Sequence, residues 1–271
     1  MFKINNLTYQ YDKTRKALDN VSMDFNKGNI IGIIGSNGSG KSTLFNNLMG
    51  ILKSTEGEIL YNGEQIKYDK KSLYNLRKEV GIVFQDPEKQ IFYSMVYDDI
   101  AFALRNIGID EKTIKERIHT ALEAVNGLQF IDRPVHNLSF GQKKRVAIAS
   151  VVAMENKLVL LDEPTAGLDP ISTRAIVDII KGLNKRGVKI VISSHDMNLI
   201  YEICDYVYVL NQGVLINEGT REEVFINEEK IDEAGLELPW LVKLHKNIGL
   251  PLFTREEDLY SYWNHREQKT V

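Results

Sequence analysis

Sulfur chemistry, ligand clusters and a charge excess are all missing from this sequence. One cysteine, Cys204, is present in 271 residues. That excludes an intrachain disulfide and a Cys-x-x-Cys metal site, and it fits a reducing compartment. His119, His136, His195, His245 and His265 are scattered without ligand spacing. The 34 basic and 37 acidic residues leave a net charge of -3, which is no electrostatic footprint for nucleic acid, so no such partner is expected. No apolar run approaches the ~20 residues of a membrane span. The opening residues, MFKINNLTYQYDK, lack the apolar core of a signal peptide. The chain is therefore expected in the cytosol, doing any membrane work through partners. No repeat or low-complexity linker breaks it, and its length suits one large core or two modest ones.

What is present is an alternation of strand and helix signals. Residues 2–9, 17–25 and 29–34 lean to β structure, and Ile-Ile-Gly-Ile-Ile at 30–34 is continuous enough for a strand buried on both faces. A helix should follow and stop at Gly50. Asn62-Gly63 predicts a hairpin within 57–65, and with it an antiparallel side sheet. Residues 86–153 read as mostly helical, with Ile114, Ile118, Ala121, Leu122 and Val125 on one apolar face before Gly127. Strands at 158–161 and 188–193 then alternate with helices at 170–185 and 197–204, which argues for a parallel sheet. Asp169-Pro170 is a cap followed by a first-turn proline, and Gly187 closes that helix. A hairpin around Asn211-Gln212-Gly213 and a capping box, Thr220-x-x-Glu223, come next. The tail beyond 227 reads as helical and carries Trp240 and Trp263.

Between the buried run and the first helix stands Gly35-Ser36-Asn37-Gly38-Ser39-Gly40-Lys41-Ser42-Thr43, which fits the phosphate-loop pattern G-x-x-x-x-G-K-[ST]. Triphosphate binding needs backbone N–H groups converging on anionic oxygens, which side chains at the glycines would obstruct. The positive end of the following helix adds to the attraction. Lys41 would bridge the β- and γ-phosphates and the Ser42 hydroxyl would ligate Mg2+. The strand Leu158-Val159-Leu160-Leu161 then delivers Asp162 toward that metal and Glu163 toward an attacking water. Gln85 ends another strand, where a neutral amide can reach metal and water, and His195 ends a third, beside the γ-phosphate. A glutamine or histidine at a strand end is ordinary alone; the context decides both. Ser139-Phe140-Gly141-Gln142 opens a helix whose capped start is a second anion site. One triphosphate rarely needs two such sites, so this one is expected to close on nucleotide held by a second subunit.

These residues, in this order, resemble an ATP-binding-cassette ATPase. The resemblance gives Gly35 to Thr43 as the Walker A loop, Gln85 as the Q-loop glutamine and Leu138 to Gln142 as the signature. It gives Asp162 as the Walker B acid, Glu163 as the catalytic glutamate, residues 166–169 as the D-loop and His195 as the switch histidine. Tyr11 matches the aromatic that stacks on adenine, with Tyr9 a weaker candidate. Phe140 departs from the commonest signature, which has glycine; an outward-facing ring and little loss are expected. The implied fold is an α/β P-loop cassette with a RecA-like parallel-sheet core, an antiparallel β side sheet and a helical insert at about 86–153. The cassette would span 1–227 and a short helical C-terminal extension 228–271.

A narrower resemblance rests on VFQDPEKQIF at 83–92, DDIAF at 98–102 and the Leu-Ser-Phe-Gly-Gln signature. It is to the ATPase of energy-coupling-factor importers, which include cobalt, nickel and vitamin systems. This implies ATP and Mg2+ as ligands, and a second ATPase subunit, either identical or paralogous. A transmembrane scaffold would dock near residues 88–93, from Glu88 to Tyr93, and a separate membrane protein would bind the substrate. The chain would then sit peripherally on the cytoplasmic face of the cell membrane. Other transporter cassettes are the nearer alternative. Soluble cassettes acting on DNA or ribosomes usually carry coiled-coil inserts, zinc cysteines or two cassettes per chain, none of which is visible.

Overall fold

The computed structural model describes residues 1–12 and 15–267. In chain order it holds β1 (Phe2–Gln10), β2 (Lys16–Asp24), β3 (Ile30–Ile34), α1 (Lys41–Leu48), β4 (Glu56–Tyr61), β5 (Glu64–Gln65), α2 (Lys70–Glu79) and β6 (Val80–Val83). The helical stretch follows as α3 (Val96–Asn106), α4 (Glu111–Ala124) and α5 (Phe140–Ala153). Then come β7 (Leu158–Asp162), α6 (Pro170–Lys185), β8 (Lys189–Ser194), α7 (Met197–Ile203), β9 (Tyr206–Asn211) and β10 (Val214–Thr220). Four helices end it: α8 (Arg221–Ile226), α9 (Glu228–Glu233), α10 (Trp240–Ile248) and α11 (Glu256–Glu267). Residues 268–271 of the expected tail lie outside the described residues.

Six strands form the central sheet in the order β10-β9-β3-β8-β7-β6. All neighbours are parallel except β10, which returns antiparallel along β9. Its central strands are buried at nearly every position because both faces are covered, the polar exceptions falling at the strand ends. Ile31, Ile33, Leu158, Leu160, Val191 and Tyr208 point into a core shared with α1 and the second sheet. Ile30, Ile34, Val159, Leu161, Ile190, Ile192, Val207 and Val209 point into the opposite core, with α3 to α7. The second sheet is antiparallel, in the order β2-β1-β4-β5. Its β4–β5 turn puts Asn62 at φ 53° and Gly63 at φ 86°, the left-handed pair that a two-residue hairpin needs.

The α4 face foreseen from the sequence is buried as a unit. The chain after 227 does not stand apart: Ile231, Ala234, Leu238, Leu241, Val242 and Leu259 extend the same core. One helix has no counterpart in the sequence reading. α2 starts on Asp69, whose carboxylate accepts from the N–H groups of Lys71 and Ser72, and Leu76 is its one buried residue. The consequence for function lies in the register. Ile34 pairs with Ser194, Asp162 with Ser193 and Val83 with Leu161. The loop glycines, Gln85, the acidic pair and His195 therefore all leave the sheet at one edge, the carboxyl ends of parallel strands where ligands bind in this class of fold.

Candidate functional site

The loop after β3 is shaped by close approach of its own backbone to its neighbours. A Cβ at Gly35 would sit 2.3 Å from the Leu210 carbonyl oxygen and 2.5 Å from Ser39 Oγ. Gly38 has open space around it but a φ of +79°, which side chains rarely adopt. The loop ends on Gly40, a helix cap that supplies no side-chain hydrogen bond to α1, so the first-turn N–H groups are left for an anion. Buried Lys41 folds back over the loop, its Nζ donating to the carbonyls of Gly35 at 2.7 Å and Ser36 at 3.1 Å. A cleft of about 430 Å³ opens above. Asn37 to Thr43 line it, with Tyr11, Gln85 and Glu163 on the far walls. Tyr11 stands at the rim, largely exposed, edge-on to Tyr9. Its hydroxyl is 3.2 Å from Thr43 Oγ1.

Asp162 and Glu163 are both buried, and one hydroxyl joins them. Ser193 Oγ donates to Asp162 Oδ1 at 2.5 Å and accepts from the Glu163 N–H at 3.0 Å. Glu163 adopts φ 47°, a left-handed conformation that costs a residue with a side chain about 1–3 kcal/mol. Its carboxylate meets partners other than those of Asp162. Glu163 Oε2 lies 2.8 Å from His195 Nδ1; an ionised carboxylate only accepts, so that ring nitrogen donates. Glu163 Oε1 is 3.7 Å from Lys41 Nζ and has no hydrogen-bond partner. An orphaned, buried carboxylate oxygen facing the phosphate loop suits a water or a polar ligand. The Ser42 hydroxyl, the Gln85 amide and the Asp162 carboxylate are hard oxygen donors of the kind Mg2+ takes, one or two at a time, beside substrate phosphates. No group of three or more His, Cys, Asp or Glu side chains suited to a metal occurs among the described residues.

The family profile described as ABC transporter matches residues 18–166. The chain belongs to the ABC transporter family. It is 45% identical over 269 residues to the cobalt import ATP-binding protein CbiO of Salmonella typhimurium, covering 99% of this chain and 97% of that protein. It is 45% identical over 250 residues to the energy-coupling factor transporter ATP-binding protein EcfA of Methanocaldococcus jannaschii, covering 91% and 90%. Among solved structures it resembles cbiO1 of Clostridium perfringens, part of the ABC transporter complex cbiONQ, with 41% identity and a TM-score of 0.78 over 90% of this chain and 98% of that one. As an ABC ATPase this cassette binds and hydrolyses ATP, and its two-sheet α/β fold is that of the family.

The signature lies apart from the cleft. None of residues 138–142 is among the groups that line it. Ser139 Oγ accepts from the Gln142 N–H at 3.3 Å, and Gln142 Oε1 accepts from the Ser139 N–H at 3.0 Å, a complete capping box at the start of α5. A Cβ on Gly141 would crowd Ser172 Oγ at 3.2 Å. Phe140 meets the expectation of an exposed ring, and the structure adds what its inner face does. It is 40% exposed, but one face covers Lys144 Nζ at 5.5 Å. An edge also lies against Gly167 of the D-loop, 3.5 Å from where a Cβ there would sit.

Three residues at the site escaped the sequence reading. Ser193 is one of two adjacent serines in a strand, and only the pairing of β8 with β7 shows what it holds. Lys144 reads as surface charge in a basic run, yet it is buried. Arg15 reaches the cleft beside Tyr11, and no pattern marks it. A second groove, of about 320 Å³, runs between Glu88, Ile91, Phe92 and Tyr93 on one side and Val135, His136 and Lys143 on the other. Exposed Phe92 and Tyr93 cluster with Phe102 there. Asp99, within the DDIAF segment, is buried and accepts from the N–H groups of Phe92 and Tyr93 at 3.0 and 3.1 Å, which fixes the loop that shows both rings.

Proposed function

We propose that this cassette is the ATPase of an energy-coupling-factor importer and works as a closed pair of cassettes, with itself or a paralogue. The observation that carries the pairing is the separation of two anion-binding helix starts: one floors the cleft, and the other, at Ser139, contributes nothing to it. Nucleotide lying on one subunit's phosphate loop would be covered by Ser139, Gly141 and Gln142 of the other. The relatives that carry cobalt-import and energy-coupling-factor names support the importer class. A cobalt ion, or a cargo of that importer class, would be bound by a separate membrane subunit.

Within one half-site the roles follow from position. Tyr11 would stack on the base, and residues 35–43 would wrap the phosphates with their N–H groups. Lys41 would exchange the Gly35 and Ser36 carbonyls for phosphate oxygens. Ser42, Gln85 and Asp162 would hold Mg2+, whose charge stabilises the transferring phosphoryl group. Glu163 takes a proton from, or orients, the attacking water through its unpartnered Oε1. His195 fixes the other carboxylate oxygen through Nδ1–H, and to reach the γ-phosphate as a donor it would need a proton on Nε2 as well. No described helix is long and apolar enough to cross a membrane, so a transmembrane scaffold would dock from outside, over Phe92 and Tyr93 in the segment from Glu88 to Tyr93. The association would be peripheral, on the cytoplasmic face. In the same terms, residues 1–227 act as the cassette, with the helical insert at about 86–153 as its moving part and 228–271 as an extension.

Glu163→Gln tests the pairing, because it removes the water-activating charge while leaving the phosphate loop intact. ATP should bind as in the wild type, hydrolysis should fall about 10²–10⁴-fold, and a dimer should accumulate on a sizing column in ATP. A variant that stays monomeric with ATP demonstrably bound rejects the two-cassette reading.

A further inference from the structure

Lys144 has no part in the mechanism above, yet it is 1% exposed and sits directly beneath the catalytic turn. Its Nζ donates to the carbonyl of Glu163 at 2.8 Å and to that of Pro164 at 2.9 Å. The Glu163 carbonyl also accepts from Ala166 N–H at 3.2 Å, and its N–H is held by Ser193. The left-handed backbone of Glu163 is thus gripped from β8 on one side and from α5 on the other. The lysine belongs to the first turns of α5, the helix that the signature opens, and the signature's own Phe140 covers its ammonium and leaves room for no more than a van der Waals contact with a side chain at Gly167 of the D-loop. Burying an ammonium is costly unless its donors are used, and this one spends two of them on the two peptides that aim Glu163.

We propose that Lys144 is a positioning residue that ties the signature helix to this chain's own Glu163, so that engagement of the signature with a partner's nucleotide sets the aim of the glutamate in the cis cleft. The proposal rests on the assignment of Glu163 as the water-activating group. A shift of α5 at Ser139 is carried through the lysine stem to the Glu163 carbonyl, and from there to Oε1.

Lys144→Met keeps length and removes the donors; Lys144→Gln keeps two N–H donors without charge. In the full-length chain, Lys144→Met should lower kcat for ATP about 100-fold, the cost of an ångström of misplacement, while KM for ATP stays within about threefold. Lys144→Gln should recover at least a tenth of the wild-type rate. In a Glu163→Gln background the Met substitution should cost nothing further, since it acts through that side chain. Equal losses in both backgrounds, a parallel rise in KM, or no rescue by Gln would overturn the positioning role in favour of a packing one. A Glu163→Gln chain that hydrolyses ATP at the wild-type rate would instead overturn the assignment of Glu163, a result that the single variants at 144 cannot produce.

Discussion

α1 begins on Gly40, which offers it no side-chain cap. α5 begins on Ser139, whose hydroxyl and the Gln142 amide close a reciprocal box. Both helix starts are assigned to the same triphosphate, and the contrast explains why they need different partners. A bare first turn leaves N–H groups whose desolvation is offset only when an anion arrives; until then Lys41 lies against the Gly35 and Ser36 carbonyls. On the proposed pairing α1 is therefore the high-affinity half, able to hold nucleotide alone. α5 has satisfied part of its own terminus and stays folded without ligand. It has only the remaining donors and the helix dipole to add, a contribution of about 0.3–1 kcal/mol when exposed. On the proposed pairing it would select a nucleotide already bound elsewhere rather than capture one.

Lys41→Ala attacks the stronger half and should have the largest effect. It removes the buried cation that faces the phosphates and leaves Glu163 Oε1 without its nearest positive charge. Losing one partner of a buried charge contact costs about 2–5 kcal/mol, a loss of thirtyfold or more in ATP affinity. Titration calorimetry on the isolated chain reads it. Unchanged affinity would mean that the bare helix start alone holds the triphosphate, and the comparison would have to be redrawn without the lysine.

Ser139→Ala attacks the weaker half. Loss of an N-cap costs about 1 kcal/mol of stability, visible as a small drop in denaturation midpoint. ATP affinity of the separate subunit should not move, because Ser139 does not line its cleft. Dimer formation in ATP by a Glu163→Gln chain should weaken about two- to fivefold for each nucleotide site when Ser139→Ala is added. A Ser139→Ala chain that binds ATP more weakly as a monomer would place both helix starts of one chain on that chain's own nucleotide, and the division of labour between subunits would be gone.

The two halves were also unequally legible in the sequence. The phosphate loop could be read outright, because its chemistry is local: glycines at fixed spacing, a lysine, a hydroxyl and an apolar strand before them lie within residues 30–43. Helix starts at Asp169 and Thr220 were legible for the same reason, since a cap and its N–H partners are three residues apart. α2 was missed because its burial rests on Leu76 alone, which leaves no periodic apolar face to detect. The strand order was also out of reach. β6 follows α2 in the chain but lies at the sheet edge beside β7, 78 residues ahead at the Val80–Leu158 pair. Ser193 and Lys144 became functional candidates only through such distant pairings. The exposure of Phe140 was legible, but the buried lysine beneath its ring was not, because the sequence presents Lys144 as one more surface charge.

The smallest expected effect concerns that ring, and it sharpens the contrast at the α5 side. Burial lowers the Lys144 pKa from the usual 10.5 to about 8. Between those values the unfolded chain holds a proton that the folded chain has released, so stability rises with pH across this window. Integrated over the window, the rise is at most about 3 kcal/mol, and Lys144→Met should lack it. Phe140→Gly, which restores the commoner signature residue, admits water over the ammonium. It loses a cation–π attraction of about 0.5–1 kcal/mol, but hydrating a charge outweighs that, so the folded pKa moves back toward 10.5. The gain in stability from pH 7.5 to pH 10 should then be smaller than in the wild type, by about 1 kcal/mol or less. Urea midpoints of the wild type, Phe140→Gly and Lys144→Met at the two pH values decide it. A steeper gain in Phe140→Gly than in the wild type would show that the ring stabilises the buried cation more than it dehydrates it, and that the signature's extra aromatic is there to hold the lysine charged.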